Sequence, residues 1–309
     1  MKQERYVLVT PARNEEAYIK GAIEAVASQT VLPLRWVIVS DGSVDRTDEI
    51  VLSYARRYSF IKLLRVEQSA RRVQRDFGAK VRAFRAGYEQ LNDICYQFVG
   101  NLDADITLGP QYFEENLKRF QANPRLGLAG GLVHEPSERG FAPQRSRKNS
   151  VCGSVQLFRK ECYEAFGGYI PMQMGGVDAA AEIMARQHGW LVETFPDIPV
   201  YAQRKVITGG ASSLHTRYRQ GMSNYLLGYH PLFQLASCVS RMDRKPYVIG
   251  SLATLLGYGS LLLRRRERSL SRETIRFLRA EQMHALVSSL TLGALSSHST
   301  PVGCKSASV

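Results

Sequence analysis

The 309-residue chain has little cysteine, and none of it is arranged as a covalent or metal framework. Cys95, Cys152, Cys162, Cys238 and Cys304 are odd in number, scattered and never spaced as C-x-x-C, which excludes a disulfide scaffold and a thiolate zinc cage. No G-x-G-x-x-G follows an apolar run, so a dinucleotide-binding dehydrogenase is excluded. The chain also lacks an apolar segment of about 20 residues, the length that spans a bilayer. The uncharged stretch Tyr247–Leu263 is diluted by Gly250, Gly257 and Gly259, and is read as buried or interfacial rather than spanning. No apolar segment of signal-peptide length stands behind a basic start, so the expected location is the cytosol or its membranes.

What is present is an ordinary globular composition, 44% hydrophobic and 22% charged, enough for one domain of about 200 residues with a smaller appendage. The formal net charge of +13 is concentrated in two blocks. Residues 56–85 hold ten Lys/Arg against two Asp/Glu, and residues 241–281 hold ten against four. Such blocks attract phosphates, whether on nucleotides, nucleic acid or anionic lipid headgroups.

Hydrophobic periodicity organises the first half. Short apolar runs at Tyr6–Thr10, Leu34–Ser40, Ile61–Val66 and Tyr96–Leu102 read as strands, and amphipathic stretches at 15–29, 45–58 and 72–90 read as the helices between them, with Asp45 as an N-cap. Strands separated by single helices predict an α/β fold with a doubly wound, mostly parallel sheet and flanking helices. Further on, 110–123 reads as helix, Gly127–Val133 and Ser154–Arg159 as strands, 135–149 as a mobile loop over a site, and Val177–His188 as helix. The expected organisation is a catalytic domain over 1–206, a helical basic extension over 207–295 and a disordered tail over 296–309.

Acidic residues stand where such a sheet presents its ligand-binding edge. Pro11-Ala-Arg-Asn-Glu-Glu16 follows the first strand, Asp41-Gly-Ser-Val-Asp45 the second, and Asp103-Ala-Asp105 the fourth. Carboxylates gathered there repel one another unless a cation or a hydrogen-bonding ligand joins them. The pair Asp103 and Asp105 offers hard oxygen ligands of the kind that take Mn²⁺ or Mg²⁺ together with substrate phosphates. The same acids oppose a phosphate backbone, and no reader motif interleaves aromatics with the basic blocks, so nucleic acid is not an expected partner.

In their order and spacing these three motifs resemble the family-2 glycosyltransferases with the GT-A fold, over about residues 5–205. The resemblance implies an inverting, metal-dependent transfer of a sugar from a nucleoside-diphosphate sugar to an acceptor hydroxyl. It implies that Asp41 contacts the base and that Pro11, Ala12, Arg13 and Glu15 pack round the nucleotide. It further implies that Asp103 lies near the ribose or metal and that Asp105 ligates the metal. The family's acceptor base falls on an acidic pair at the start of a late helix ending in Gly-Trp; counting back from Gly189-Trp190 places Asp178 there, with Val177 where a Glu is usual and Glu182 one turn further on. Arg75, followed by Asp76-Phe-Gly78, matches a basic residue that faces the donor.

Bacterial relatives of this kind build exopolysaccharide and other surface glycans on lipid-linked carriers, which implies a glycan or lipid-linked acceptor and an enzyme peripheral on the cytoplasmic face of the inner membrane. Arg264-Arg-Arg-Glu-Arg268, directly after the uncharged stretch, suits an anionic membrane surface. The Q-x-x-R-W motif of processive synthases is absent, and the loop after the first strand has no glycine, unlike the G-x-G-T-R of nucleotidylyltransferases. The competing reading is a catalytically inactive, membrane-associated adaptor that binds nucleotide sugars.

Overall fold

A computed structural model describes residues 5–66, 77–144, 147–172, 174–204, 213–242 and 246–297. The chain divides into two compact units, Met1–Thr216 and Arg217–Val309. The boundary drawn from sequence at 206/207, the residue Arg75 and the tail beyond Ser297 lie outside the described residues.

The first unit begins with β1 (Tyr6–Ala12), α1 (Ile19–Ala27), β2 (Arg35–Asp41), α2 (Thr47–Ala55), β3 (Ile61–Val66), α3 (Phe77–Glu89) and β4 (Phe98–Leu102). The β1–β2, β2–β3 and β1–β4 pairs are all parallel. Both faces of β1, β2 and β4 are covered, which is why their sequences run largely apolar without alternation, whereas the edge strand β3 exposes Lys62 and Arg65. Tyr6, Leu8, Trp36 and Ile38 enter one core with Ile23, Phe113 and Phe120. Val7, Val9, Val37 and Val39 enter the other, with Phe84, Phe158 and Tyr169.

The rest of the unit adds β5 (Ile106–Leu108), α4 (Tyr112–Ala122), β6 (Leu126–Ser137), β7 (Gly140–Pro143), β8 (Val155–Arg159), α5 (Lys160–Ala165), α6 (Val177–Gln187) and β9 (Leu191–Ala202). The sheet order is β3-β2-β1-β4-β8-β6-β9-β5, with β7 paired to β6. The second half of the sheet is mixed: β8 runs antiparallel to both β4 and β6, β5 is antiparallel to β9, and β6 and β9 are parallel. The stretch 135–149 is therefore not simply a loop. Its first residues extend β6, and Gly140–Pro143 pairs back on them through Ser137↔Gly140, because the β6 backbone continues outward past its β9 partner and needs hydrogen bonds there.

The second unit takes most of α7 (Ser213–Leu226) together with α8 (Pro231–Val239), α9 (Tyr247–Leu263) and α10 (Arg272–Ser297). Its α9 has the limits of the uncharged stretch. Backbones of α7 and α9 approach closely, since a Cβ on Gly221 would overlap the Thr254 carbonyl and one on Gly257 the Tyr218 carbonyl. Among the described residues no helix is long and apolar enough to cross a membrane.

A register shift in the β6–β9 pairing falls between Gly131 and Leu132, where the Ile198 carbonyl presses on the Gly131 Cα. Gly131→Ala is expected to lower unfolding free energy by about 1–3 kcal/mol. Gly109→Ala, where a Cβ meets nothing within 4 Å, is the matched control, and chemical denaturation compares the two.

Candidate active site

The order β3-β2-β1-β4 means that the chain moves outward from β1 to β3 and then returns to the other side of β1. Such a reversal opens a crevice beyond the carboxyl ends of β1 and β4, where ligands bind in open α/β sheets. The β1–α1 and β2–α2 loops are laced together at this edge. Asn14 takes a positive φ of 54°, accepts from the Val44 N–H on its side-chain oxygen at 2.9 Å and donates its own N–H to Ser43 Oγ at 3.2 Å. Glu15 N–H donates to Thr47 Oγ1 at 2.8 Å, and Glu16 N–H to Asp45 Oδ2 at 3.0 Å. Asp45 also accepts from the Thr47 N–H and hydroxyl. It thus performs the capping expected of it from one residue further out, Arg46 being the N-cap position. Although partial burial works against its charge, these hydrogen bonds from Thr47 and Glu16 hold the Asp45 carboxyl below its ordinary range.

Beyond β4 the acids acquire cations. Asp103, tied by its N–H to the Ser154 carbonyl at 2.9 Å, receives Lys80 Nζ on Oδ1 at 2.6 Å. Lys80 and Asn101 Nδ2 both donate to the Gly153 carbonyl, at 3.2 and 2.7 Å. On its other side Gly153 abuts Asp178: a Cβ there would stand 2.9 Å from the Asp178 Cβ and 3.0 Å from its Oδ2. Glycine at 153 thereby lets the first turn of α6 bring the Asp178 carboxylate beside Asp103 and Lys80. Burial opposes the Lys80 charge, but Asp103 and Asp178 together raise its pKa.

Asp105 is buried and belongs to a second cluster. The antiparallel register Ile106↔Ala202 sets the end of β9 against the D-x-D turn, and the Gln203 N–H donates to the Asp105 carbonyl at 2.9 Å. Arg204 then reaches Asp105 Oδ2 with Nε and Glu15 Oε1 with a terminal nitrogen, both at 2.6 Å, and lies over the Tyr18 ring. Burial raises the pKa of both carboxyls; Arg204 works against this, while mutual repulsion with Asp103 adds to it.

Residues 7–184 match the sequence profile described as Glycosyl transferase family 2. The chain belongs to that family. It is 25% identical over 152 residues to "Uncharacterized glycosyltransferase EpsJ" of Bacillus subtilis (strain 168), which covers 48% of this chain and 40% of the relative. It is 28% identical over 146 residues to the poly-beta-1,6-N-acetyl-D-glucosamine synthase of Staphylococcus epidermidis, covering 46% of this chain and 29% of that protein. The chain thus spans less than half the length of these curated relatives. Among solved structures, S. aureus TarS 1-349 in complex with UDP-GlcNAc superposes with a TM-score of 0.53 at 15% identity, over 72% of this chain and 66% of that one. The mannosyltransferase PcManGT from Pyrobaculum calidifontis, in complex with GDP-Man and Mn²⁺, gives 0.52 at 16% identity over 95% and 81%. At these identities the likeness is one of fold, and it is the GT-A fold.

Within this glycosyltransferase domain the sequence-derived residues take distinct places. Pro11 and Ala12 end β1, exposed Arg13 follows them, and Asp41 ends β2 just before Gly42 with its φ of 67°. Glu15, Asp103, Asp105 and Asp178 gather at the switch-point edge, whereas Glu182 points into the protein. Its Oε1 accepts from the Val151 N–H at 2.7 Å and from the Ser150 hydroxyl at 3.1 Å. Burial, followed by the nearby Asp178 charge, pushes Glu182 up to about 8. Lys80, Gly153 and Arg204 join the candidate site without being singled out from the sequence. Lys80 stands inside the first basic block, and Arg204 follows the end of β9.

No three His, Cys, Asp or Glu side chains converge on a common metal position among the described residues. The donor chemistry nevertheless fits a hard cation shared with a diphosphate, which typically takes only one or two protein carboxylates. The Lys80 contact falls on one Asp103 oxygen and the Arg204 contact on one Asp105 oxygen, while the buried Glu15 Oε2 beside them has no partner.

Two outcomes follow from these charges. Arg204→Met leaves Glu15 and Asp105 facing each other without their cation; with Arg204 half-exposed, the expected loss is about 1–2 kcal/mol. Asp105→Asn added to it should recover part of that loss in a double-mutant cycle. Glu182 binds a proton more readily folded than unfolded between pH 4.5 and about 8, so stability falls as pH rises through that window. Glu182→Gln keeps the acceptor oxygen and should flatten the decline, as denaturant melts across pH will show.

Proposed function

We propose that the chain transfers a sugar from a nucleoside-diphosphate sugar to an acceptor hydroxyl with inversion at the anomeric carbon. The observation that carries this reading is the meeting of Asp178 with Asp103 and Lys80 around Gly153 at the switch-point crevice. UDP-GlcNAc and GDP-Man in the solved structures of like fold support a nucleotide-sugar donor. The names of the curated relatives support a polysaccharide of the cell surface as the product. In this reading Asp41 meets the base, Pro11, Ala12, Arg13 and Glu15 surround the nucleotide, and Arg75 faces the diphosphate.

The acceptor oxygen bonds to the anomeric carbon as the bond from that carbon to the diphosphate oxygen breaks. The hydroxyl proton passes to the Asp178 carboxylate, and the electron pair leaves with the diphosphate. Attack from the face opposite the leaving group inverts the centre. A positioned carboxylate of this kind contributes about 10²–10⁴-fold. Glu182, bonded to the backbone at Val151, holds the loop that carries Gly153 against α6, a positioning role rather than a reacting one. Asp105 and Asp103 would hold Mn²⁺ or Mg²⁺, which when bound neutralises the charge of the leaving diphosphate. Lys80, kept protonated by Asp103, adds a fixed positive charge beside the same crevice. The acceptor is read as a lipid-linked glycan met at the cytoplasmic face of the inner membrane.

Asp178→Asn is expected to keep donor binding and to slow transfer by about 10²–10⁴-fold, since the amide preserves shape but takes no proton. Asp105→Ala should lose both transfer and the stabilisation by UDP- or GDP-sugars in the presence of Mn²⁺. Thermal shift across UDP-, GDP- and dTDP-sugars, paired with release of the nucleoside diphosphate, reads both. Donor stabilisation without any turnover by the wild type would assign the chain to the adaptor reading instead.

A further inference from the structure

Two helices of the second unit, α8 and α9, turn mostly small and polar residues inward and large apolar ones outward. The inward side of α9 carries Gly250, Ser251, Thr254, Gly257 and Tyr258 with a single leucine, Leu261, while Ile249, Leu256 and Leu263 are 61%, 67% and 86% exposed, with Val248 and Leu252 exposed beside them. The neighbouring α8 repeats the pattern. Its buried residues are Gln234 and Cys238, and its outward ones Leu232, Leu235 and Val239. The inward polar groups are satisfied: Asn224 of α7 donates to Gln234 Oε1 at 2.8 Å, Ser251 Oγ to the Cys238 carbonyl at 2.8 Å, and Thr254 Oγ1 to the Gly250 carbonyl at 2.9 Å. In water the hydrophobic effect places side chains the other way round. Helices joined by small residues and hydrogen bonds, with leucines outward, follow the packing rule for an apolar solvent.

From this we infer that the outward face of α8 and α9 seats on a bilayer containing anionic lipid. At 17 residues and 1.5 Å per residue, α9 is too short to cross a hydrocarbon core of about 30 Å, but it suits a helix lying in the interface plane. The charge beside it selects the occupant. Arg264, Arg265 and Arg266 are exposed directly after Leu263, and residues 241–281 hold ten basic side chains against four acidic ones. A second copy of the chain docking face to face would bring two such clusters together, whereas anionic headgroups neutralise them. The inference deepens the lipid-linked acceptor reading and rests on it for its purpose. The observations behind it belong to α8, α9 and the arginines after them alone.

The test is flotation of the full chain with vesicles of phosphatidylcholine alone and of phosphatidylcholine with phosphatidylglycerol. Binding to the anionic vesicles is expected at low salt, weakening as salt screens charges over about 8–10 Å. Leu252→Glu with Leu256→Glu, both at exposed positions, should reduce binding about tenfold or more at every salt concentration. Replacing Arg264, Arg265 and Arg266 by Ser should remove most of the salt dependence. Leu263→Glu, at the most exposed of these positions, repeats the apolar test should the double variant melt early. The inference is overturned if the wild type ignores anionic vesicles at low salt, or if the glutamate variants bind as well as wild type. It is equally overturned if sedimentation shows a self-associated form that those variants break apart. Donor stabilisation by UDP- or GDP-sugars is read on the same samples, so failure of the transferase reading and failure of the lipid surface are separately visible.

Discussion

Like charges crowded at one sheet edge are the constraint on which this glycosyltransferase domain turns. Glu15, Asp103, Asp105 and Asp178 are brought to the carboxyl ends of β1 and β4 and to the facing end of α6, where Glu15 and Asp105 leave water. Two side chains from elsewhere make that tolerable: Lys80 on Asp103 and Arg204 across Glu15 and Asp105. The arrangement leaves more negative than positive charge among these six residues, so an incoming diphosphate needs further cations. Binding of substrate and neutralisation of the edge are consequently one electrostatic problem.

The surrounding structure serves that edge. The laced loops after β1 and β2 keep Glu15 in place through Thr47, and the Asp103 N–H is anchored to the antiparallel strand β8 through Ser154. Glycine at 153 removes the one Cβ that would push α6 away from the acids. Lys80, on α3, reaches the same spot. The mixed half of the sheet, including the bulged β6–β9 pair, carries the chain to Arg204 with the register that Asp105 requires.

How much of this is legible in the sequence depends on which interactions are local. β1, β2 and β4 are buried on both faces, so Val7, Val9, Val37, Val39 and Val99 stand in nearly continuous apolar runs that read directly as strands. β9 does not read that way, because Glu193, Pro196, Asp197 and Pro199 interrupt it and its place is fixed by pairing with β6 and β5. The three residues of β5 are too few to show a period at all. The acids of the candidate site stand out as strand-end residues, but Arg204 pairs with Glu15 across 189 positions, and no local pattern announces such a contact. The second unit is legible only in part: a run of leucine and glycine with no charge reads as buried or interfacial, and only the structure tells which side of α9 is turned inward.

The long span of the Glu15–Arg204 contact also bears on how the protein is made. Glu15 leaves the ribosome early, whereas its guanidinium partner follows the last strand of the first unit. Chains emerge N-terminus first at about 5–20 residues per second, so nascent Glu15 waits on the order of ten seconds or more for Arg204. Until β9 pairs with β5, hydration and protonation must carry those charges, and strands β1 to β4 form around a cluster that favours staying wet. Closure of the cleft edge thus marks the final stage of the domain's cotranslational assembly.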